Sequence, residues 1–365
     1  MLKGKTIAVV VPAYNEEKQI GMVIETMPSF VDRIVIVNDC SSDNTEKIVR
    51  KYIENDTQQA IHIVNVMGRI VETRYNEADI VVQNMNHEEL SNYPPSEIIN
   101  KQPDRDRIIL INLLKNSGVG AAIARGYKWC KDQGVDCTAK MDGDGQMDPS
   151  ELESICLPVV EDDIDYVKGN RLIHRSALLV IPKVRYLGNS VLSVLTKIAS
   201  GYWHVSDTQT GYTAISKQAL NSIRIHKVYR KYGYPNDLLV KLNIAFCTIR
   251  EVEIKPVYKI GEKSKMKIIN IMPKLSWLLF KSFFIRLWMK YLFRDFHPLF
   301  LLYHFSFLLG IISIPFGIRI IMRTLTHTYL SEGTILAFFF LFITALQSFL
   351  FAMWMDIQDN DRFYK

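Results

Sequence analysis

Apolar residues fall along this chain in two alternating patterns. Residues 6–12 carry Ile7-Ala8-Val9-Val10-Val11 without a break and stop at Pro12. An unbroken apolar run of this length describes a strand buried on both faces. Residues 33–38 are a second strand of the same kind, and 108–113 and the apolar-to-polar run 137–141 extend the alternation. Between these runs, residues 16–27, 42–52 and 119–133 space their apolar positions at helical period. Ser41 or Ser42 is placed to cap the second of these helices. Strand, helix, strand, helix predicts an α/β fold with a mostly parallel sheet and covering helices. Residues 67–107 break the alternation. Asn, Glu and Asp are frequent there, and Pro94-Pro95 and Pro103 act as breakers. The stretch reads as a polar insertion between sheet elements, either a surface excursion or a partner site.

Beyond residue 141 the alternation resumes. Asp148-Pro149-Ser150-Glu151 has the form of a helix start, and residues 166–169 that of a short strand. A helix over 184–200, a turn-rich strand region over 205–216, a helix over 233–243 and a last strand over 249–256 follow. The chemistry then changes. Residues 274–296 mix Trp277, Phe280, Phe283, Phe284, Trp288, Tyr291 and Phe293 with Lys274, Lys281, Arg286, Lys290 and Arg294. Cations facing one way and aromatics the other describe interfacial amphipathic helices.

Residues 298–318 and 334–355 each approach the ~20 apolar residues that cross a bilayer. The second stretch holds no charged residue. Joined by a short loop, the two form a transmembrane hairpin with both flanks on one side. The basic flank before Pro298 assigns that side to the cytoplasm, and Arg319 and Arg323 near the loop weigh weakly the other way. The expected organisation is a folded α/β domain over 1–260, a basic loop and juxtamembrane helices over 261–297, two membrane helices over 298–355, and a cytoplasmic tail over 356–365.

With 365 residues, 48% of them hydrophobic and 11% aromatic, the chain can bury a sizeable core, which excludes general disorder. Five scattered cysteines (Cys40, Cys130, Cys137, Cys156 and Cys247) form no Cys-x-x-Cys pair. They argue against a zinc site or disulfide framework and for a reducing compartment. A net charge of +6 is weak by itself, and no nucleic acid partner is expected. The start, Met1-Leu2-Lys3-Gly4-Lys5-Thr6, lacks the apolar run of a signal peptide.

Candidate chemistry lies where the run 137–141 ends. Asp142, Asp144 and Gln146 follow at alternate positions, so extended backbone presents their three oxygen-bearing side chains to one side. Two carboxylates ~4 Å apart at an effective dielectric near 20 repel by about 4 kcal/mol, a cost that a divalent cation removes. Oxygen-only ligands suit Mg²⁺ or Mn²⁺, which retain waters and share substrate phosphates. The same residues also suit an ordinary acidic surface turn.

Other polar loops end the expected strands at the edge where parallel sheets bind ligands. They are Pro12-Ala13-Tyr14-Asn15-Glu16, Asn38-Asp39-Cys40-Ser41-Ser42, Asn116-Ser117-Gly118-Val119-Gly120 and Asp142-Gly143-Asp144. In order and spacing this set resembles the inverting family 2 glycosyltransferases with the GT-A fold. Within them it is similar to the polyisoprenyl-phosphate hexosyltransferases, such as the dolichyl-phosphate mannose and glucose synthases. The resemblance covers roughly residues 5–260 apart from the insertion. The amphipathic segment and hairpin resemble members that carry their own membrane spans.

The resemblance implies a Rossmann-like GT-A catalytic domain and a role for each matching residue. Pro12, Tyr14 and Glu16 would enclose the base and ribose of a nucleotide-sugar, with Val37, Gly118 and Gly143 in the same pocket. Asp39 would accept hydrogen bonds from base N–H groups. Asp142, Asp144 and Gln146 match an Asp-x-Asp-x-Gln motif that holds a metal on the donor diphosphate. Gly169-Asn170-Arg171 resembles a Gly-Ser-Arg stretch, which would put the Arg171 fork on phosphate. Residues 205–212 resemble an Asp-x-x-x-Gly-Phe-Arg stretch beside the reacting sugar, with Tyr and Thr in place of Phe and Arg. Asp144, Asp207 and Arg171 are the catalytic candidates, with Asp207 orienting a substrate or anchoring the fold. Tyr234-Pro235-Asn236-Asp237 stands where many relatives carry Glu.

The reaction implied is transfer of a hexose from GDP-mannose or UDP-glucose to a polyprenyl or dolichyl phosphate, with inversion. Such an acceptor is already largely ionised, because a phosphate monoester's second pKa lies near 6. It needs cations more than a base. Arg185, Lys263, Lys265 and Lys267 are the candidates, and they suit a solvated face or anionic lipid equally well. One rival is a family 2 enzyme acting on a hydroxyl acceptor in polysaccharide or glycolipid synthesis, with Asp207 or Asp237 as base. A processive synthase is disfavoured, since its Gln-x-x-Arg-Trp motif is absent from the sequence. A membrane-tethered nucleotide-binding scaffold is disfavoured by the survival of all three candidate metal ligands. An oligomer through the hairpin stays open.

Overall fold

The structure, a computed structural model, describes residues 1–56, 73–257 and 268–365. Strands β1 (Ile7–Ala13) and β2 (Arg33–Asn38) alternate with helices α1 (Ile20–Glu25) and α2 (Thr45–Asn55). Then come α3 (Glu77–Glu88), β3 (Ser96–Ile98), β4 (Ile108–Leu113), α4 (Val119–Asp132), β5 (Cys137–Lys140) and α5 (Leu152–Glu161). The domain closes with β6 (Tyr166–Asn170), α6 (Ala177–Val180), α7 (Lys183–Ser200), β7 (Thr213–Ser216), α8 (Lys217–Ser222), α9 (Tyr234–Ile244) and β8 (Ile249–Glu253). The eight strands form one sheet in the order β3-β4-β2-β1-β5-β7-β6-β8. Only β3 and β7 run against the rest. The expected α/β architecture, a mostly parallel sheet with covering helices, is the one observed.

The unbroken apolar runs have a simple cause. Ala8 and Val10 of β1 enter the core under α4, while Ile7, Val9 and Val11 enter the core on the opposite face with α1 and α5. Both faces are covered, so neither side of the strand tolerates a polar residue. Each fully buried Val or Ile contributes ~1.5–3 kcal/mol. Register then aligns the strand ends. Ala13 lies beside Asn38, Asn38 beside Asn112, and Val10 beside Lys140. The loops after β1, β2, β4 and β5 therefore share one edge.

Two local readings are corrected. α2 starts at Thr45, with the Asp43 carboxylate accepting from the Thr45 N–H at 3.0 Å. Ser41 and Ser42 are occupied elsewhere: the Asn15 N–H donates to Ser41 Oγ at 3.0 Å, and the Ser42 N–H donates to Asn15 Oδ1 at 2.8 Å. The described part of the polar stretch also does more than cross the surface. Ser96–Ile98 adds an antiparallel edge strand to β4. Glu89 accepts from Lys131 Nζ at 3.4 Å and pairs with His226 Nδ1 at 2.7 Å, Lys128 Nζ donates to the Asn86 carbonyl at 2.9 Å, and Arg125 Nε donates to Ser96 Oγ at 2.8 Å. Three cations of α4 are thereby buried beneath a segment whose composition had suggested solvent.

Past the domain, α10 (Ile268–Trp288) continues into a single-turn π segment, Met289–Arg294, and then α11 (Leu299–Leu325) and α12 (Glu332–Asp361). At 27 and 30 residues, the last two helices are long and apolar enough to cross a membrane. Their apolar side chains face outward, with Ile311 65% and Phe340 71% exposed, unlike the core helices of a water-soluble domain. The expected sidedness of residues 274–296 is corrected. Arg286 and Lys290 are fully buried, whereas Trp277 and Phe293 are 68% and 69% exposed. The cause is α12. Arg286 Nη1 and Nη2 each donate at 2.7 Å to the Asp356 carboxylate, and Arg286 Nε donates to the Ala199 carbonyl at 2.9 Å. Lys290 Nζ donates to Asn360 Oδ1 at 2.6 Å and Asn243 Oδ1 at 3.2 Å. Residues 356–365, expected as a tail, continue α12 and then meet β8, where the Ile249 N–H donates to the Phe363 carbonyl at 2.7 Å and the Lys365 N–H to the Ile249 carbonyl at 3.0 Å.

Breaking a buried ion pair from one side costs about 3–5 kcal/mol, because the remaining charge stays desolvated. Asp356→Ala is therefore expected to lower the unfolding temperature of the detergent-solubilised chain markedly. Adding Arg286→Met should restore part of the loss. Thermal unfolding of the three variants checks both outcomes, and an Asp356→Ala chain as stable as the parent would remove the pair's importance.

Candidate active site

The loops at the common strand edge interlock through side chains chosen for tight turns. Asn15 and Cys40 adopt positive φ, 57° and 59°, a conformation that Asn tolerates better than most residues. The Glu16 N–H donates to Thr45 Oγ1 at 2.9 Å, and the Glu17 N–H to Asp43 at 3.1 Å. These bonds fix the backbone of the Pro12–Glu16 motif against the loop after β2. Pro12 is buried within β1 and Tyr14 is 40% exposed at its end. Gly143 packs below them, where a methyl group would lie 3.1 Å from the Pro12 carbonyl.

Asp39 lies almost fully buried at the end of β2. Its two oxygens accept from the Ser117 N–H at 2.7 Å and the Gly118 N–H at 2.8 Å. Burial pushes its pKa above the ordinary carboxylate value, and the two amides offset that only in part. Asp39 thus clamps the loop that opens α4. Gly118 has φ +94°, which a side chain would strain, and a methyl there would lie 2.6 Å from the Arg230 carbonyl. Val37 is corrected: its side chain is fully buried in the core between β2 and α4, away from the strand-end loops.

The acidic motif follows β5 directly. Lys140, buried on the strand, donates to Asp142 Oδ1. Asp144 Oδ1 accepts from the Gln146 N–H at 3.0 Å, closing a local turn. Burial, then the neighbouring Asp142 charge, push the Asp144 pKa up to about 6, with Glu16 adding to the rise and the Gln146 N–H and Lys140 opposing it. Among the described residues, no three His, Cys, Asp or Glu side chains cluster as a closed cage. The donor set fits Mg²⁺ or Mn²⁺ in another way. Two carboxylates would supply part of such a shell, with water or a ligand's oxygens supplying the rest. The buried Gln146 Nε2 has no hydrogen-bond partner among the described residues.

A second charged centre stands beside the first. Asp207 is 1% exposed and accepts from Arg171 Nε at 2.8 Å and Nη2 at 3.0 Å, and from the Arg171, Gln209 and Thr210 N–H groups. Burial raises its pKa, but the Arg171 charge and hydrogen bonds and the Lys168 charge more than offset it, so the net shift is downward. Glu251 of β8 accepts from the Ser206 and Asp207 N–H groups, each at 3.0 Å. Lys168 donates to the Thr210 carbonyl, and burial lowers its pKa to about 7. Asp237, at the start of α9, accepts from the Tyr229 N–H at 2.8 Å and from Lys241.

The structure thus brings Pro12, Tyr14, Glu16, Asp39, Gly118, Asp142, Gly143, Asp144, Gln146 and Arg171 to one edge of the sheet. Lys263, Lys265 and Lys267 lie outside the described residues. Arg185 stands in the first turn of α7, and its side chain also lies outside them. Sequence reasoning missed Lys140, Lys168 and Glu251. Lys140 could have been found from period 2 alone, since residues 140, 142 and 144 alternate in phase.

The model of glycosyl transferase family 2 matches residues 8–69 and 91–224. A UDP-N-acetylglucosamine–dolichyl-phosphate N-acetylglucosaminyltransferase of Methanococcus voltae is 29% identical over 272 residues, 74% of this chain and 92% of that protein. A dolichyl-phosphate beta-glucosyltransferase of Trichomonas vaginalis is 24% identical over 300 residues, 77% of this chain and 74% of its own. Among solved structures, glucosyl-3-phosphoglycerate synthase from Mycobacterium tuberculosis, in complex with Mn²⁺, UDP and glucosyl-3-phosphoglycerate, superposes with a TM-score of 0.46 at 17% identity over 78% of this chain and 80% of that one. The family match spans over half the chain, and the protein belongs to glycosyl transferase family 2.

Proposed function

We propose that this glycosyltransferase moves a hexose unit from a nucleoside-diphosphate sugar to a polyprenyl or dolichyl phosphate, inverting the anomeric carbon, at the cytoplasmic face of a membrane. Relatives named for dolichyl-phosphate and polyprenol acceptors support the acceptor class. The observation that carries it is the state of the two acids a hydroxyl acceptor would need. A general base must reach the proton it removes. Asp207 is buried and spent on Arg171 and backbone amides, and Asp237 is held by Lys241 and the Tyr229 N–H. An acceptor that arrives already ionised needs neither.

In this reading each residue has a limited task. Asp39 holds the Ser117-Gly118 backbone as one wall of the nucleotide pocket, and Tyr14 offers an exposed ring beside it. Asp142, Asp144 and Gln146 would hold Mg²⁺ or Mn²⁺, which when bound offsets the charge that grows on the departing diphosphate. Asp207 fixes the Arg171 guanidinium at the end of β6, where its charge faces the same edge. The two apolar helices, fastened to the domain through Arg286 and Asp356, set that edge near the lipid surface where a polyprenyl phosphate resides.

The direct test incubates the full chain, Mg²⁺ or Mn²⁺ and polyprenyl phosphate with labelled GDP-mannose, UDP-glucose or UDP-N-acetylglucosamine. Label is expected in the organic phase with one of the three. Chelation should abolish it, and Asp144→Ala should lower it by at least about two orders of magnitude, the scale of losing a transition-state charge stabiliser. Label confined to water-soluble products would refute the lipid acceptor.

A second expectation concerns Asp207 as anchor. Its folded pKa lies below the ordinary 3.8. Its stabilising contribution is therefore present above the unfolded value and is lost as pH falls through the lowered folded one. Asp207→Asn should unfold at a lower temperature than the parent at pH 7, and the gap should narrow steadily below pH ~4. Melting curves across that range decide it, and a gap that widens in acid would contradict the assignment.

A further inference from the structure

Lys140 lies outside every motif that the sequence singles out, yet its ammonium touches the acid pair. It ends β5, is fully buried, and donates to Asp142 Oδ1. Two further features surround it. A methyl group at Gly211 would lie 2.3 Å from Lys140 Nζ, 3.0 Å from the Tyr234 hydroxyl and 3.4 Å from Asp142 Oδ2. The chain carries no side chain at the one point where this ammonium, this phenol and this carboxylate converge. The Tyr234 hydroxyl is itself buried without a partner among the described residues, and Lys140 Nζ stands 5.8 Å from its ring centre. The neighbourhood is shaped around a cation that serves Asp142.

We propose that Lys140 is a positioning residue and built-in counter-ion for the acid pair. It holds Asp142 through Oδ1, leaving Oδ2 for the donor side, and cuts the charge of Asp142 and Asp144 together from two negatives to one. The inference rests on the reading of that pair as metal ligands. Its consequence is a site of moderated cation affinity. A bare pair of acids would retain a divalent ion between turnovers. With Lys140 in place, a bound ion would depend on the oxygens of the donor's diphosphate for the rest of its binding. Gly211 is the space that lets the ammonium reach Asp142.

The test titrates Mn²⁺ into the detergent-solubilised full chain and follows the free ion by electron paramagnetic resonance. Titrations are run alone and with the nucleoside diphosphate released in the transfer assay. Removing a unit charge beside the ion at an effective dielectric near 20 is expected to tighten Mn²⁺ binding roughly tenfold or more in Lys140→Met. Gly211→Ala keeps the lysine but drives a methyl into its ammonium, so it should tighten binding in the same direction and add nothing further in the double variant. It also decides the matter if Lys140→Met does not fold. Unchanged or weaker Mn²⁺ binding in these variants overturns the counter-ion role. A wild-type chain that binds no more Mn²⁺ than Asp144→Ala overturns instead the metal reading of the acid pair.

Discussion

The Arg286–Asp356 pair is the contact on which the relation between the two C-terminal apolar helices and the sheet depends. Both side chains are fully buried, and the guanidinium meets the carboxylate with two bonds of 2.7 Å. Neither group could remain there alone, since each loses its hydration on burial. The remaining donors of Arg286 reach the carbonyls of Ala199 and Ile198 at the end of α7. Lys290 ties the same junction to Asn243 of α9. α7 and α9 in turn contact the loop that carries Thr208 and Gln209. Ser193 bonds Thr208 at 3.1 Å, Thr196 donates to Asn236 at 3.1 Å, and Gln209 donates to Asn236 at 2.9 Å. Polar contacts therefore tie the last turns of α12, through Arg286 and Lys290, to α7 and α9, and others tie these helices to the loop that holds Arg171.

Four aspartates at the strand-end edge have different partners. Asp39 is satisfied by two backbone amides, Asp142 by Lys140, and Asp207 by Arg171 with several amides. Asp144 has one amide and no cation of its own, and its pKa is the one driven up toward neutrality. Asp39 and Asp207 are thus components of the scaffold: one holds a loop, the other aims a cation. Asp144 is the least satisfied of the four, and perturbed carboxylates of this kind concentrate at functional sites.

The sheet was readable because burial on both faces leaves an uninterrupted apolar run, as in 33–38 and 108–113, whose bounds match β2 and β4. The acidic motif was readable because its partners are two residues apart. Other features were not. Arg125, Lys128 and Lys131 look like a solvated face of α4 until Glu89 and the neighbouring carbonyls cover them. Arg286 and Lys290 look like headgroup contacts until α12 returns beneath them. Val37 sits in a strand next to a ligand loop, but phase within the strand turns its side chain to the core.

These failures share a physical origin. A charge reads as exposed when its partner is remote in sequence, because local pattern records only the cost of burial and not the group that relieves it. Arg171 and Asp207 are 36 positions apart, and Arg286 and Asp356 are 70. Lys140 and Asp142, two apart, are the converse: a short-range pair whose meaning depends on Gly211 and Tyr234, brought in from beyond β6. Even an adjacent ion pair acquires its role from what the fold leaves empty beside it. Here that space is the missing side chain at Gly211, without which the ammonium could not stand where Asp142 holds it.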